Sequence, residues 1–249
     1  MNNEKHKAVQ SECEKYYRRL YTICGEILTK SFSADEKSSH SISHHYILDL
    51  EKWIDVLSSH SEVSMLKAAL REYQFGLLNL VLGQYRQSFM ALRLFLELGL
   101  GAVLFSANEL DLRLWLQGSK DIIWHKLVAT DNGVFSKAFV RAFFESLEDE
   151  AHQYQNIAEK LFRECSEYVH GNAYANDKLP DTLQFEKRVF LDWHEKAQSA
   201  RIVVSFALCL RNMHFLDRTS LSILEPIIRD ELGHVTAIRT FLNDTMEKD

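Results

Sequence analysis

Two residues of this 249-residue chain combine types and spacing that suit chemistry, Arg163 and His170. Seven residues at about 100° each fall roughly 20° short of two full turns, so both side chains share one face of a helix. A histidine can give or take a proton near neutral pH. An arginine keeps its charge and offers a planar fork to anionic oxygens. The helical run that carries them, residues 152–172, ends in Tyr168-Val169-His170-Gly171-Asn172. Its apolar positions, Tyr154, Ile157, Leu161, Cys165 and Tyr168, lie roughly 120° to 200° around the helix from Arg163. The pair therefore points away from the core its own helix packs on. Two readings stay open: the solvated side of an amphipathic helix, whose C-terminus favours a cation in any case, or a site completed by something else.

A second set lies earlier. Residues 80–105 are apolar nearly all round, which predicts a central, buried helix. Asn79, Arg86, Arg93 and Glu97 fall within roughly 40° of one another on that helix. A buried arginine must be paired, and Arg93 with Glu97 can pair one turn apart. The stripe is either a structural set of ion pairs that fixes helix register or the lining of a functional cleft.

Metal chemistry has a weaker basis. Glu167-x-x-His170 and Glu231-x-x-His234 repeat a spacing used by di-iron helical bundles, with Glu97 as a third candidate ligand. A fourth ligand has no clear identity. His40, His44 and His45 cluster in a Ser-rich stretch with no flanking cysteine or acidic pair at ligand spacing. No metal or other cofactor is expected. Phosphate-binding glycine loops and the G-x-S-x-G nucleophile elbow are absent.

The elements that must position these residues follow from composition and periodicity. Only nine glycines and two prolines leave too few breakers for an all-β fold, so an all-α fold of long helices is expected. The net charge of −6 is not that of a general nucleic-acid binder. Residues 152–215 are balanced in sign, less acidic than the whole. Cys13, Cys24, Cys165 and Cys209 sit in apolar helical patterns without C-x-x-C spacing and read as reduced core residues of a cytoplasmic protein. The N-terminus has no signal-peptide core, and the apolar run near 94–105 is too short to span a bilayer, so no membrane partner is expected.

In order along the chain, Val9, Cys13, Tyr16, Leu20, Ile23 and Ile27 predict an amphipathic first helix, and 31–45 a polar loop. A short helix follows around 47–57. Ser61 or Ser64 can cap the next, which runs through Leu77 and holds Gly76 and Gly83 as marks of close packing or a kink. Asn108 caps another short helix, although Leu110, Leu112, Leu114 and Leu116 also alternate like a strand. The acidic cluster at 145–150 reads as a solvated face. Long helices are expected over 182–216 and 219–243. The whole reads as a single domain, 1–249: N-terminal helices and linker over 1–60, a helical core over 62–215, and a C-terminal helix over 219–249.

Arg-x6-His at a helix end, followed by Gly171-Asn172 and another long helix, resembles the R-x4-6-H motif of HEPN domains. These are all-α proteins built on a four-helix bundle. The likeness covers roughly 62–215. It implies a metal-independent endoribonuclease that acts as a homodimer, with Arg163 and His170 catalytic and RNA as substrate. Attack by the RNA 2′-hydroxyl on the adjacent phosphate suits those residue types. The family often sets a polar or acidic residue on an earlier helix against the motif, a role for which Glu97 is the candidate, supported by Arg93, Arg86 and Asn172. A bacterial defence or toxin–antitoxin setting, with an antitoxin or other partner protein, is implied by the resemblance only. Glu164 and Glu167 inside the spacer depart from what a phosphate site favours. Many members of the family are catalytically silent modules that bind a protein or nucleic acid, which is the alternative reading.

Overall fold

Apolar residues recurring every three or four positions make helices that must bury one face, and the fold is the set of ways these faces meet. The computed structural model describes residues 2–33 and 38–246, with side chains except those of 2–9 and 174. Among the described residues there are twelve α-helices and no strand, so the all-α expectation holds. They are α1 (Asn2–Ser33), α2 (Ser39–Val56), α3 (Val63–Val81), α4 (Tyr85–Ser106), α5 (Glu109–Leu116), α6 (Trp124–Leu127), α7 (Lys137–Phe143), α8 (Glu148–Val169), α9 (Ala173–Lys178), α10 (Lys187–Asn212), α11 (Arg218–Leu232) and α12 (Thr236–Met246).

The centre is α4. It packs on α3, α8 and α10, and α8 packs on α10. Leu92, Phe95 and Leu96 of α4 meet Leu161 and Cys165 of α8 and Trp193, Val203 and Phe206 of α10 in one buried cluster. Burying each large side chain contributes roughly 1.5–3 kcal/mol, which is what holds the four helices together. Gly76 permits the closest approach on α3: a Cβ there would sit 3.0 Å from the Trp193 ring. Trp193 in turn donates its indole N–H to the Ser88 carbonyl at 3.0 Å. α4 is long and apolar enough to cross a membrane by length and composition, which corrects the shorter run expected from the sequence. Most of it is buried against neighbouring helices.

Several elements differ from expectation. The apolar stretch from residue 80 is not one helix. The chain reverses at Gly83, whose φ of 75° suits only glycine comfortably, so Asn79 belongs to α3 and Arg86 to α4. Residues 39–45 are helical rather than loop, because His40 and Ser43 are buried against the body. Residues 34–37 and the side chain of Val9 lie outside the described set. Neither Ser61 nor Ser64 caps α3, since Glu62 takes that position without a side-chain cap. Asn108 does cap α5, accepting from the Asp111 amide at 3.2 Å. The last expected helix is divided into α11 and α12 at Gly233. The body grips the C-terminal part of α1 through Ile27 and Ser31 and leaves Cys13, Tyr16, Tyr17 and Tyr21 exposed. Cys13 is thus not a core residue, whereas Cys165 and Cys209 are; all four cysteines are free thiols.

Candidate functional site

α8 begins with Glu148, Asp149 and Glu150, whose charges favour the positive end of the helix dipole. Glu148 is further held by Arg141 at 2.6 Å and Lys137 at 3.6 Å, so this part of the acidic cluster is paired rather than merely solvated. One face buries Ala151, Tyr154, Ala158, Leu161, Cys165 and Tyr168. Arg163 and His170 are exposed. Neither side chain makes a hydrogen bond or ion pair among the described residues.

The helix stop explains the Gly-Asn that follows. Gly171 takes φ 65°, the left-handed conformation of a helix C′ position. The Asn172 amide then reaches back to the Glu167 carbonyl at 3.2 Å. Arg86 completes the end: its guanidinium donates to the Tyr168 carbonyl at 2.6 Å and to the Asn176 side chain. Asn176 donates to the Gly171 carbonyl at 3.1 Å. Arg86 and Asn172 thus fix where α8 ends and how His170 is presented.

Arg93 and Glu97 form the expected one-turn pair, 3.4 Å apart. Burial raises the Glu97 carboxyl above its ordinary pKa, and Arg93 offsets only part of that. The Arg93 guanidinium also lies 4.4 Å from the centre of the Phe162 ring. Phe162 stacks on Trp124 with ring centres 3.9 Å apart and planes 2° from parallel. Two clefts meet at this column. One, of about 370 Å³, is walled by Phe75, Met90, Arg93, Leu94, Glu97 and Val169. The other, of about 450 Å³, is walled by Trp124, His125, Asn156, Lys160, Phe162 and Arg163.

Glu97 and Arg93 therefore share a cleft with Val169, the residue before His170, while Arg163 lines the neighbouring cleft. Asn79 lines the first cleft as well, from α3 rather than from the same helix. The carboxylate of Glu164 is drawn away by Lys196 at 3.0 Å and Lys160 at 3.9 Å. That removes part of the repulsion a phosphate would meet.

The metal candidates do not converge. Glu231 pairs with Arg201 at 3.6 Å, and His234 shares a hydrogen bond with the Tyr154 hydroxyl at 3.2 Å. Among the described residues no three His, Cys, Asp or Glu side chains could hold one ion. Sequence reasoning missed Trp124 and Phe162, which sit at half-buried positions of helices chosen for other reasons. It also missed a buried polar network of Ser43, Tyr73, His194, Arg201 and Glu231. A signal for the latter existed: His194 and Arg201 are seven apart, both facing the interior of a helix otherwise apolar on that side.

Comparison with family models, curated proteins and solved structures finds no match for this chain.

Proposed function

We propose that the protein is a metal-independent endoribonuclease of HEPN-like kind, with Arg163 and His170 as its catalytic residues. The observation that carries the reading is the pair itself. Two residues suited to phosphoryl transfer stand exposed on one helix face without a partner among the described residues, at a helix end held by Arg86, Gly171 and Asn172.

In this reading the RNA 2′-oxygen attacks the adjacent phosphorus, and the bond from phosphorus to the 5′-oxygen breaks. The products are a 2′,3′-cyclic phosphate and a free 5′-hydroxyl. His170 takes the proton of the attacking hydroxyl or supplies the one that the leaving oxygen needs. Arg163 stabilises the charge that grows on the phosphoryl oxygens. One histidine serves one of the two proton transfers, and His170 of a second copy would serve the other, which is the chemical case for a homodimer. Phe75, Leu78, Met90 and Leu94 are exposed on α3 and α4 beside the Glu97 cleft and offer apolar surface for such a contact. The bacterial defence or toxin–antitoxin setting, and an antitoxin partner, rest on the family resemblance alone.

A second reading, a catalytically silent module that binds a partner protein or nucleic acid, is favoured by one observation. Glu167 shares the helix end with His170, and no ion pair among the described residues draws its charge away. The test is cleavage of single-stranded RNA in the presence of a chelator by wild type, Arg163→Ala and His170→Ala. Activity in wild type that is lost in both variants supports catalysis. Activity equal in all three, or present in none, leaves the silent module.

A further inference from the structure

Three side chains form a column at the edge of the bundle. The Arg93 guanidinium and the Trp124 indole both lie against Phe162, at 4.4 Å and 3.9 Å from its centre. Two groups cannot share one face of a ring, so they take opposite faces, in the order Arg93, Phe162, Trp124. The far face of the indole carries no further ring or cation among the described residues. The indole and the Phe162 ring both line the cleft of about 450 Å³ that Arg163 also lines.

The cleft has the chemistry of a nucleotide. A flat π-surface stacks on any base, and cations beside it take the phosphate. Lys160 and Arg163 are exposed on the same wall, and His125 faces them from α6. Asn156 supplies an amide that can both donate to and accept from a base edge. One carboxylate, Glu159, lies on this wall, and the Gln155 side-chain amide donates to it at 3.0 Å. Lys160 is held only loosely, 3.9 Å from a Glu164 that is closer to Lys196.

We propose that this cleft is a nucleobase-stacking subsite: a base of single-stranded RNA stacks on Trp124 and sets the adjoining phosphate against Arg163. The choice of RNA over a free nucleotide rests on the ribonuclease reading. The stacking chemistry is common to both.

The experiment titrates the full-length protein with 2′-O-methylated single-stranded RNA, which cannot be cleaved by 2′-hydroxyl attack, and separately with adenosine monophosphate. Binding is followed by fluorescence anisotropy of labelled RNA and by tryptophan emission. Trp53 and Trp193 are fully buried and Trp115 is part-buried like Trp124, so the quenching assigned to Trp124 is the part that Trp124→Phe removes. Saturable quenching by RNA is expected in wild type and in His170→Ala. Trp124→Ala is expected to weaken binding about tenfold. Trp124→Phe, which keeps a stacking ring, should lose the quenching yet stay within a few-fold of wild-type affinity. Lys160→Ala should weaken binding at low salt more than at high salt.

Quenching undiminished in Trp124→Phe overturns the subsite. So does wild-type affinity in a Trp124→Ala protein that melts normally. Tight binding of the mononucleotide with none of the RNA overturns the assignment to RNA. Cleavage is scored apart from binding. If RNA binds through Trp124 and wild type never cleaves it, the ribonuclease reading falls and the subsite stands. If cleavage depends on His170 and Trp124→Ala binds as wild type does, the subsite alone falls.

Discussion

Two helices each carry an arginine and a histidine seven residues apart, and the fold treats the two pairs in opposite ways. At α8, Arg163 and His170 face outward without a partner among the described residues. On α10, His194 and Arg201 are 5% and 4% exposed. Arg201 can only donate, and it donates to the Ser43 hydroxyl at 3.2 Å. The Ser43 hydrogen then goes to His194 Nδ1 at 2.9 Å, so the neutral imidazole carries its own proton on Nε2. Glu231 faces Arg201 at 3.6 Å, and the Tyr73 hydroxyl donates to the Ser43 carbonyl at 2.9 Å. Burial, with His40 and Arg201 nearby, pushes the His194 pKa down to about 3. Residue type and spacing match between the helices. Packing decides which pair is structural and which is left for something outside the chain.

The comparison breaks most visibly at Arg201. Replacing it by alanine strands the buried Glu231 carboxylate and leaves Ser43 short of a donor. Removing one partner of a buried ion pair costs about 3–5 kcal/mol. A chain of this size loses about 2–4 °C of melting temperature per kcal/mol, so Arg201→Ala should melt roughly 10 °C lower or worse. Arg201→Met combined with Glu231→Gln should recover more than half of that, because the stranded charge goes too. Thermal unfolding that finds Arg201→Ala within a degree or two of wild type would remove the contrast altogether.

Next in size is the pH response of His194. Its folded-state pKa lies below the ordinary histidine value of about 6.5, so on acidification the unfolded chain takes up the proton first. Stability is full above pH 6.5 and falls below it by up to about 1.4 kcal/mol per pH unit. The neighbouring carboxyls Glu231 and Asp49, both raised chiefly by burial, act in the opposite sense, because the folded chain takes their protons first. That offset enters nearer the carboxylate range, at lower pH. His194→Asn keeps an acceptor for Ser43 and should flatten the slope of unfolding free energy between pH 6.5 and 5. An unchanged slope would place the titration elsewhere.

How much of this was readable beforehand differs by element. Periodicity marked the buried face of α8 and the outward direction of Arg163 and His170, because a single amphipathic helix encodes its own orientation. It failed at the α3–α4 reversal, where Leu80, Val81 and Leu82 carry apolar character straight through the turn and hide Gly83. Asn79 still reaches the Glu97 cleft, but across a helix pair rather than along a helix. The Ser43 network was readable only in part, through the spacing of His194 and Arg201 on one helix. Its members lie on α2, α3, α10 and α11, and only tertiary packing assembles them. The Arg93–Phe162–Trp124 column likewise joins α4, α8 and α6, three elements with no shared local pattern.

Glu97 sits between the two extremes and should respond modestly. Its pKa is raised because burial disfavours the charged carboxylate more than Arg93 favours it. Glu97→Gln keeps an oxygen for Arg93 and removes the buried charge. The expected change at pH 7 is neutral to stabilising by up to about 1 kcal/mol, measured by urea unfolding. If the carboxylate serves the α8 end, RNA cleavage falls while stability holds or rises. A destabilisation above 2 kcal/mol would instead put Glu97 in the same class as Arg201.

The smallest effect on stability belongs to the outward pair, and it is the most discriminating. Arg163 and His170 bury little and satisfy nothing within the fold, so substituting both by alanine should move unfolding free energy by less than about 0.5 kcal/mol. Any loss of RNA cleavage in the double variant then cannot come from lost folding. The same double change on α10, His194→Ala with Arg201→Ala, should unfold the protein before any activity could be scored. If the α8 variant were also strongly destabilised, Arg163 and His170 would be structural after all. The ribonuclease reading would then lose the observation that carries it.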